Sequence, residues 1–253
     1  MRKPTAMAAL WVLGLGLTSG PALAATPPAA PPALPPTLAK ALEGGGLDTR
    51  DAWAYRKTMR IDAMDEPAVT SVVRWDPSKP DGEQCTVVSV EVKGAATGKA
   101  EDDDPCDDAA DRELYGDLVR LVNDAVIETV SEDAKAAVYR LTPRDKQHGF
   151  RLGGVHIETG DDELEDLEGT LRVVKTGTGA PYVERVAFQL KEPTGNLVAK
   201  VGKLDISMTY GPEATTGAKL MTGMSVDVQV RLFTLYNVTT QVKSSYDEYR
   251  RVR

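Results

Sequence analysis

The last third of the chain alternates apolar and polar residues with a period of two through successive runs. Val186, Phe188 and Leu190 interleave with Arg185, Ala187, Gln189 and Lys191, and Leu204, Ile206, Met208 and Tyr210 with Lys203, Asp205, Ser207 and Thr209. Met224, Val226, Val228, Val230 and Leu232 then oppose Ser225, Asp227, Gln229 and Arg231, and Tyr236, Val238 and Val242 extend the pattern. Successive side chains of a strand point to opposite faces, so these runs specify an antiparallel sheet with one apolar and one solvated face. The apolar face needs a cover, which is either a helix of the same chain or a helix together with a ligand.

Upstream segments extend the same logic. Trp53, Tyr55, Met59 and Ile61 fall on one side of a first strand, Val69, Ser71, Val73 and Trp75 of a second, and Thr86, Val88, Val90 and Val92 of a third. The stretch from Asp76 to Gly82 carries two prolines and a glycine and reads as a turn. A short helix is predicted over Pro36 to Leu42, with proline in its first turn and Gly44-Gly45-Gly46 ending it. A long helix is predicted from Asp108 to Val130, capped by Asp107 or Asp108. Its stripe is Leu114, Leu118, Leu121, Val122, Ala125, Val126 and Val130 at three- and four-residue intervals. Short strands follow around Val138 to Leu141 and Phe150 to Ile157. The C-terminal meander turns at Thr176 to Gly179, Pro193 to Asn196 and Gly211 to Gly217.

Residues 1–24 read as a cleaved export signal: Arg2 and Lys3, an apolar run from Met7 to Leu17, then small residues around Ala22 and Ala24. The apolar run is shorter than the ~20 residues that span a bilayer. Residues 25–36 form a proline-rich leader with no amide donors for regular structure at its prolines, and 37–253 form a single domain. The first cysteine is Cys85, so no lipid-anchoring cysteine follows the signal, and a periplasmic location with no integral membrane segment after cleavage is expected. A net charge of −8, more negative once Arg2 and Lys3 are removed, disfavours nucleic acid as a partner. Cys85 and Cys106 lie in the exported part, where a structural disulfide is the favoured reading and a pair of unpaired buried thiols the other.

Catalytic material is sparse. His148 sits in a polar turn and His156 in a strand pattern, and the chain carries neither a zinc-protease helix motif nor a Gly-x-Ser-x-Gly elbow. Gly94 to Lys99 is one residue short of a phosphate-loop spacing. The acidic tracts Glu101 to Asp108 and Asp161 to Glu168 lack the order of a calcium-binding loop and read as solvated. Aromatic residues, at 6% of the chain, are too few for a carbohydrate-stacking surface. No enzyme activity, cofactor or metal is expected.

The export signal, the Asp108 to Val130 segment and the C-terminal meander from Leu171 to Val252, together with Trp53 to Trp75, resemble the periplasmic outer-membrane lipoprotein carrier and sorting superfamily. Gly169-Thr170-Leu171-Arg172-Val173 opens a hairpin and Tyr246-Asp247-Glu248-Tyr249-Arg250 closes the chain as such proteins do. The resemblance implies an α+β fold: a curved antiparallel sheet, an incomplete β-barrel, packed on one or two helices around an apolar cavity that holds acyl chains. An outer-membrane barrel is the disfavoured architectural rival, because the second face of each run carries Lys, Asp, Gln or Arg.

The expected function is a non-enzymatic carrier or binding protein for a lipid or an acylated ligand such as a lipoprotein. The ligand-binding residues expected are Phe188, Leu190, Ile206, Met208, Met224, Val226, Val228 and Val230. The alternative is a cell-envelope interaction module with a filled core and a protein partner.

Overall fold

The computed structural model describes residues 33–43, 48–64, 66–93, 104–106, 109, 112–144, 150–152, 155–157, 167–175, 179–195, 199–233 and 236–252. The export signal, most of the proline-rich leader, Gly44 to Gly46, Gly94 to Lys99, the capping residues Asp107 and Asp108, His148, most of both acidic tracts and the turn at 176–178 lie outside the described residues. Of His156 only the backbone is described.

The period-two runs are strands. β1 (Trp53–Ala63), β2 (Val69–Trp75) and β3 (Cys85–Val92) form an antiparallel meander. β4 (Ala125–Glu132) and β5 (Ala136–Pro143) form a hairpin, and β6 (Phe150–Leu152) pairs with β7 (Val155–Ile157) in a small separate sheet. β8 (Leu167–Val174), β9 (Tyr182–Leu190), β11 (Ala199–Pro212), β12 (Lys219–Leu232) and β13 (Tyr236–Arg251) make up the C-terminal meander, with β10 (Thr194–Gly195) paired onto β11. The resulting 11-stranded sheet is open, with the order β3-β2-β1-β13-β12-β11-β9-β8-β5-β4 and β10 beside that path. Its two halves meet where β1, the first strand, pairs with β13, the last.

Register aligns the apolar positions into a row that crosses all ten strands of the path. Val92 faces Val69, Val69 faces Ile61, Ile61 faces Val242, Val242 faces Val226, and Val226 faces Ile206. Ile206 then faces Phe188, Phe188 faces Gly169, Gly169 faces Leu141, and Leu141 faces Ile127. Residues opposite each other across a ladder share a face, so this row is one continuous apolar surface. The only residue in it without a side chain, Gly169, is where the Phe188 ring lies over the backbone. A Cβ there would stand 2.9 Å from Leu141 Cβ and 3.1 Å from Phe188 Cε1.

Two short helices cover part of this face. α1 spans Pro36–Leu42 with proline in its first turn, as the sequence predicts, and buries Leu38, Ala41 and Leu42. α2 spans only Asp117–Asn123, not the long helix expected from Asp108 to Val130. The stripe is real as far as Leu118, Leu121, Val122 and Ala125, all buried, but Val126 and Val130 are 50% and 52% exposed on β4. The reason is composition: Val126, Ile127, Thr129 and Val130 are β-branched and stiff at χ1, which favours a pleated strand over a helix. A second correction concerns β3. Val72 pairs with Ser89 but the next residue, Val73, pairs with Val87, so a bulge at Val88 splits the set Thr86, Val88, Val90 and Val92 expected on one side.

The β11–β12 turn is set by a side chain. Glu213 accepts hydrogen bonds from the backbone amides of Thr215 and Thr216 and from Thr216 Oγ1, at 2.9, 2.7 and 2.8 Å. Gly217 closes it at φ +70°, which a glycine adopts without steric cost. Those donors hold the Glu213 carboxyl down at about 2.

Two outcomes follow from these local arrangements. Gly169→Ala is expected to cost about 1–3 kcal/mol by overpacking against Leu141 and Phe188, read by urea denaturation; an unchanged midpoint would mean the ring does not lie there. Because the folded Glu213 pKa is depressed below its ordinary 4.5, the stability it contributes is present above pH 4.5 and is lost as pH falls toward 2. Thermal melts should therefore show Glu213→Gln less stable than the native chain at pH 7, with the gap closing below pH 4.5. A gap independent of pH would contradict the carboxylate's role.

Candidate functional site

Burial changes along the apolar face, and that change defines the candidate site. Phe188, Met208 and Ile206 are packed in the core at 0%, 1% and 6% exposure. Leu190, Met224, Val226, Val228 and Val230 are only half-buried. The eight sequence-predicted site residues thus divide into three that fill the core and five that remain partly open. Met224 and Val226 still pack against the core cluster at its margin.

The open part extends beyond those five. Val242 on β13, Met59 and Ile61 on β1, Val69 on β2 and Val92 on β3 are half-buried on the same face. We call this surface the wing. Its members were visible in the sequence as alternating residues. What assigns them to one surface with Val226 is the β1–β13 pairing, which joins the two ends of the chain.

Past the wing, β11, β12 and β13 run on as a tongue. On its inner face Leu204, Val228 and Thr240 form one row, Val201, Val230 and Val238 the next, and Leu232 faces Tyr236 at the end. β1 stops at Ala63, opposite Thr240, so Tyr236 to Thr239 have no β1 residue beside them in the ladder. The register of β11 steps between Val201 and Lys203, at Gly202.

The other end of the face is closed by a buried polar cluster. Arg112 Nη2 donates to Asp48 Oδ1 at 2.6 Å with both side chains almost fully buried (1% and 0% exposed), and Asp48 Oδ2 accepts from the Tyr115 amide at 2.8 Å. The guanidinium lies 5.5 and 5.6 Å from the ring centroids of Tyr55 and Tyr249. Burial acts to lower the Arg112 pKa, but the hydrogen bond and charge of Asp48 outweigh it and hold the guanidinium above its usual value. Tyr115 links three elements: its hydroxyl donates to Ala41 O at 2.8 Å in α1 and accepts from Val183 N at 2.7 Å in β9, while its ring meets Tyr210 edge-on at 5.5 Å. Burial pushes the Tyr115, Tyr210 and Tyr249 phenols up, so they stay neutral at any physiological pH.

The opposite face of the sheet is charged and internally paired. Lys203 bridges Asp205 and Asp227 at 3.1 and 2.5 Å, and Arg185 Nε donates to Ser207 Oγ at 2.8 Å. A cleft of about 490 Å³ near the chain end includes Arg74, Asp76, Lys79, Glu248 and Arg250. Its walls are engaged with each other, since Glu248 takes Arg56 and Arg74 and Asp76 takes Arg250. Among the described residues no group of three or more His, Cys, Asp or Glu could hold a metal ion, and no helix is long and apolar enough to cross a membrane. Cys85 and Cys106 form a disulfide that ties the start of β3 to the segment before α2.

No family model and no curated protein matches this chain. Among solved structures it is similar to a LolA superfamily protein from Nitrosomonas europaea, with 13% identity over 86% of this chain and 92% of that one and a TM-score of 0.31.

The buried pair yields a quantitative expectation. Asp48→Ala should cost about 3–5 kcal/mol because it leaves the Arg112 charge buried without its partner, whereas Asp48→Ala with Arg112→Met should cost far less than the two single changes summed. Urea denaturation of the four proteins of the cycle measures this; additive effects would show that the two side chains are not coupled.

Proposed function

We propose that this chain is a non-enzymatic carrier or binding protein that holds a lipid or an acylated ligand against the wing and tongue. One observation carries the reading: the apolar row is continuous across the sheet, yet its cover runs out between Ile206, 6% exposed, and the half-buried residues from Val226 onward. A polar cover would leave those methyls wet; an acyl chain would dry them. The binding residues in this reading are Leu190, Met224, Val226, Val228 and Val230, with Phe188, Ile206 and Met208 forming the floor. The methionines can adapt to ligand shape. The export signal read in the sequence and the Cys85–Cys106 disulfide support a periplasmic location.

A protein partner is the second reading, favoured by the edge strand β3. Val87, Val88 and Val90 on it are 43%, 50% and 41% exposed, and an edge strand offers its backbone for pairing with another chain.

The carrier reading has a characteristic dependence on ligand length. Each buried methylene contributes ~0.8 kcal/mol, so affinity should rise about fourfold for each carbon added to a saturated fatty acid until the wing is filled. Displacement of a fluorescent fatty acid by the series from eight to sixteen carbons measures this, and Val228→Asp should weaken binding at least tenfold while leaving the urea midpoint nearly unchanged. Affinity that does not vary with chain length, or no binding at all, would refute the carrier reading.

A further inference from the structure

The end of the tongue carries a chemistry that the carrier reading does not use. Phe233, at the β12–β13 turn, is 67% exposed and Tyr236 beside it 52%, and Met64, whose amide donates to Thr239 O at 2.9 Å, is 39% exposed. Among the described residues, Phe233 is the most open of the exposed large apolar side chains. On the polar side of the same tongue a cleft of about 220 Å³ is lined by Pro193, Lys200, Gly202, Gln229, Arg231 and Asn237. That lining holds two cations and two amides but no carboxylate, in a chain whose net charge is −8. Register places Lys200 directly opposite Arg231, and Arg231 opposite Asn237, whose Oδ1 accepts from Arg231 Nε at 3.2 Å.

We propose that this tip is a docking surface for anionic lipid membranes, with Lys200 and Arg231 against headgroup phosphates and Phe233 and Tyr236 in the interfacial layer. Aromatic side chains partition to the headgroup level, and each Lys or Arg near an anionic surface contributes attraction that salt screens. The charge of the whole chain decides the orientation. A net acidic body is repelled by anionic lipid while the Lys200–Arg231 cleft is attracted, so the molecule meets the surface end-on, with the wing's open end nearest the bilayer. The docking stands on the tip's own residues and does not require that the wing bind a ligand.

The test uses the unit from Ala33 to Arg253, which is compact by itself and contains the described core, because the apolar export signal with its Arg2 and Lys3 would bind vesicles unaided. Vesicles are either wholly phosphatidylcholine or contain about a third phosphatidylglycerol. Sedimentation with the anionic vesicles should bring the protein down at low salt. Lys200→Gln and Arg231→Gln should each weaken binding about fivefold, the factor corresponding to ~1 kcal/mol per cation, and Phe233→Ala with Tyr236→Ala at least tenfold. Phe233→Trp should show a blue-shifted emission component with anionic vesicles only. Circular dichroism confirms that each variant is folded, which exposed tip residues should not disturb. Equal binding to both vesicle types, no emission shift, or full binding by the tip variants would overturn the docking. Fatty-acid displacement measured on the unsubstituted unit separates the two proposals: docking without fatty-acid binding refutes the carrier reading alone, and fatty-acid binding without docking refutes this one alone.

Discussion

The architecture depends on a mismatch of lengths. α1 and α2 have seven residues each, about 10 Å at the helical rise, whereas β12 and β13 have 14 and 16, about 50 Å at the strand rise. Hydrophobic stabilisation scales with the apolar area removed from water, and the helices share one core cluster with large buried side chains of the sheet: Phe188, Tyr139, Leu141, Leu171 and Met208. The remainder of the face keeps the apolar character that alternation gives it, with no helix among the described residues to bury it. An open end is therefore built into a fold that pairs long strands with short helices.

The closed end and the open end are stabilised by different means. At the closed end a buried charge, two aromatic rings and the Tyr115 hydroxyl lock the helices to the sheet, and each of these groups is costly to leave without its partner. At the open end the strands rely on ladder hydrogen bonds and on the charged outer face, where Lys203 between Asp205 and Asp227 offsets the repulsion of two carboxylates placed opposite each other. Exposed pairs of this kind contribute little stability each. Buried polar contacts are thus concentrated at one end of the face and half-buried apolar residues at the other.

Much of this was legible in the sequence because strand alternation is a local signal. The inward sets on β1, β2, β9, β11 and β12 were readable residue by residue, as was the helix Pro36–Leu42 from its proline and following glycines. Three things were not. The stripe from Leu114 to Val130 ran on past the true end of α2 because Val126 and Val130 happen to keep the helical spacing, and only their β-branching marked them as strand. The β3 bulge falls among adjacent valines that nothing distinguishes. The Asp48–Arg112 pair joins residues 64 apart, and the β1–β13 ladder joins the two ends of the domain; neither separation leaves a local trace. For the candidate site, the apolar residues could be named but not divided into floor and opening, since that depends on where two short helices come to rest.

One apolar face is dry at one end and open at the other. Methyl NMR with a soluble gadolinium chelate tests it directly, without any ligand. Strong broadening is expected for the methyls of Val228 and Val230, less for Val226, and none for Leu118, Leu121, Leu141 and Leu171. Protection that is uniform from Leu171 to Val230 would show a face filled from end to end and would contradict it.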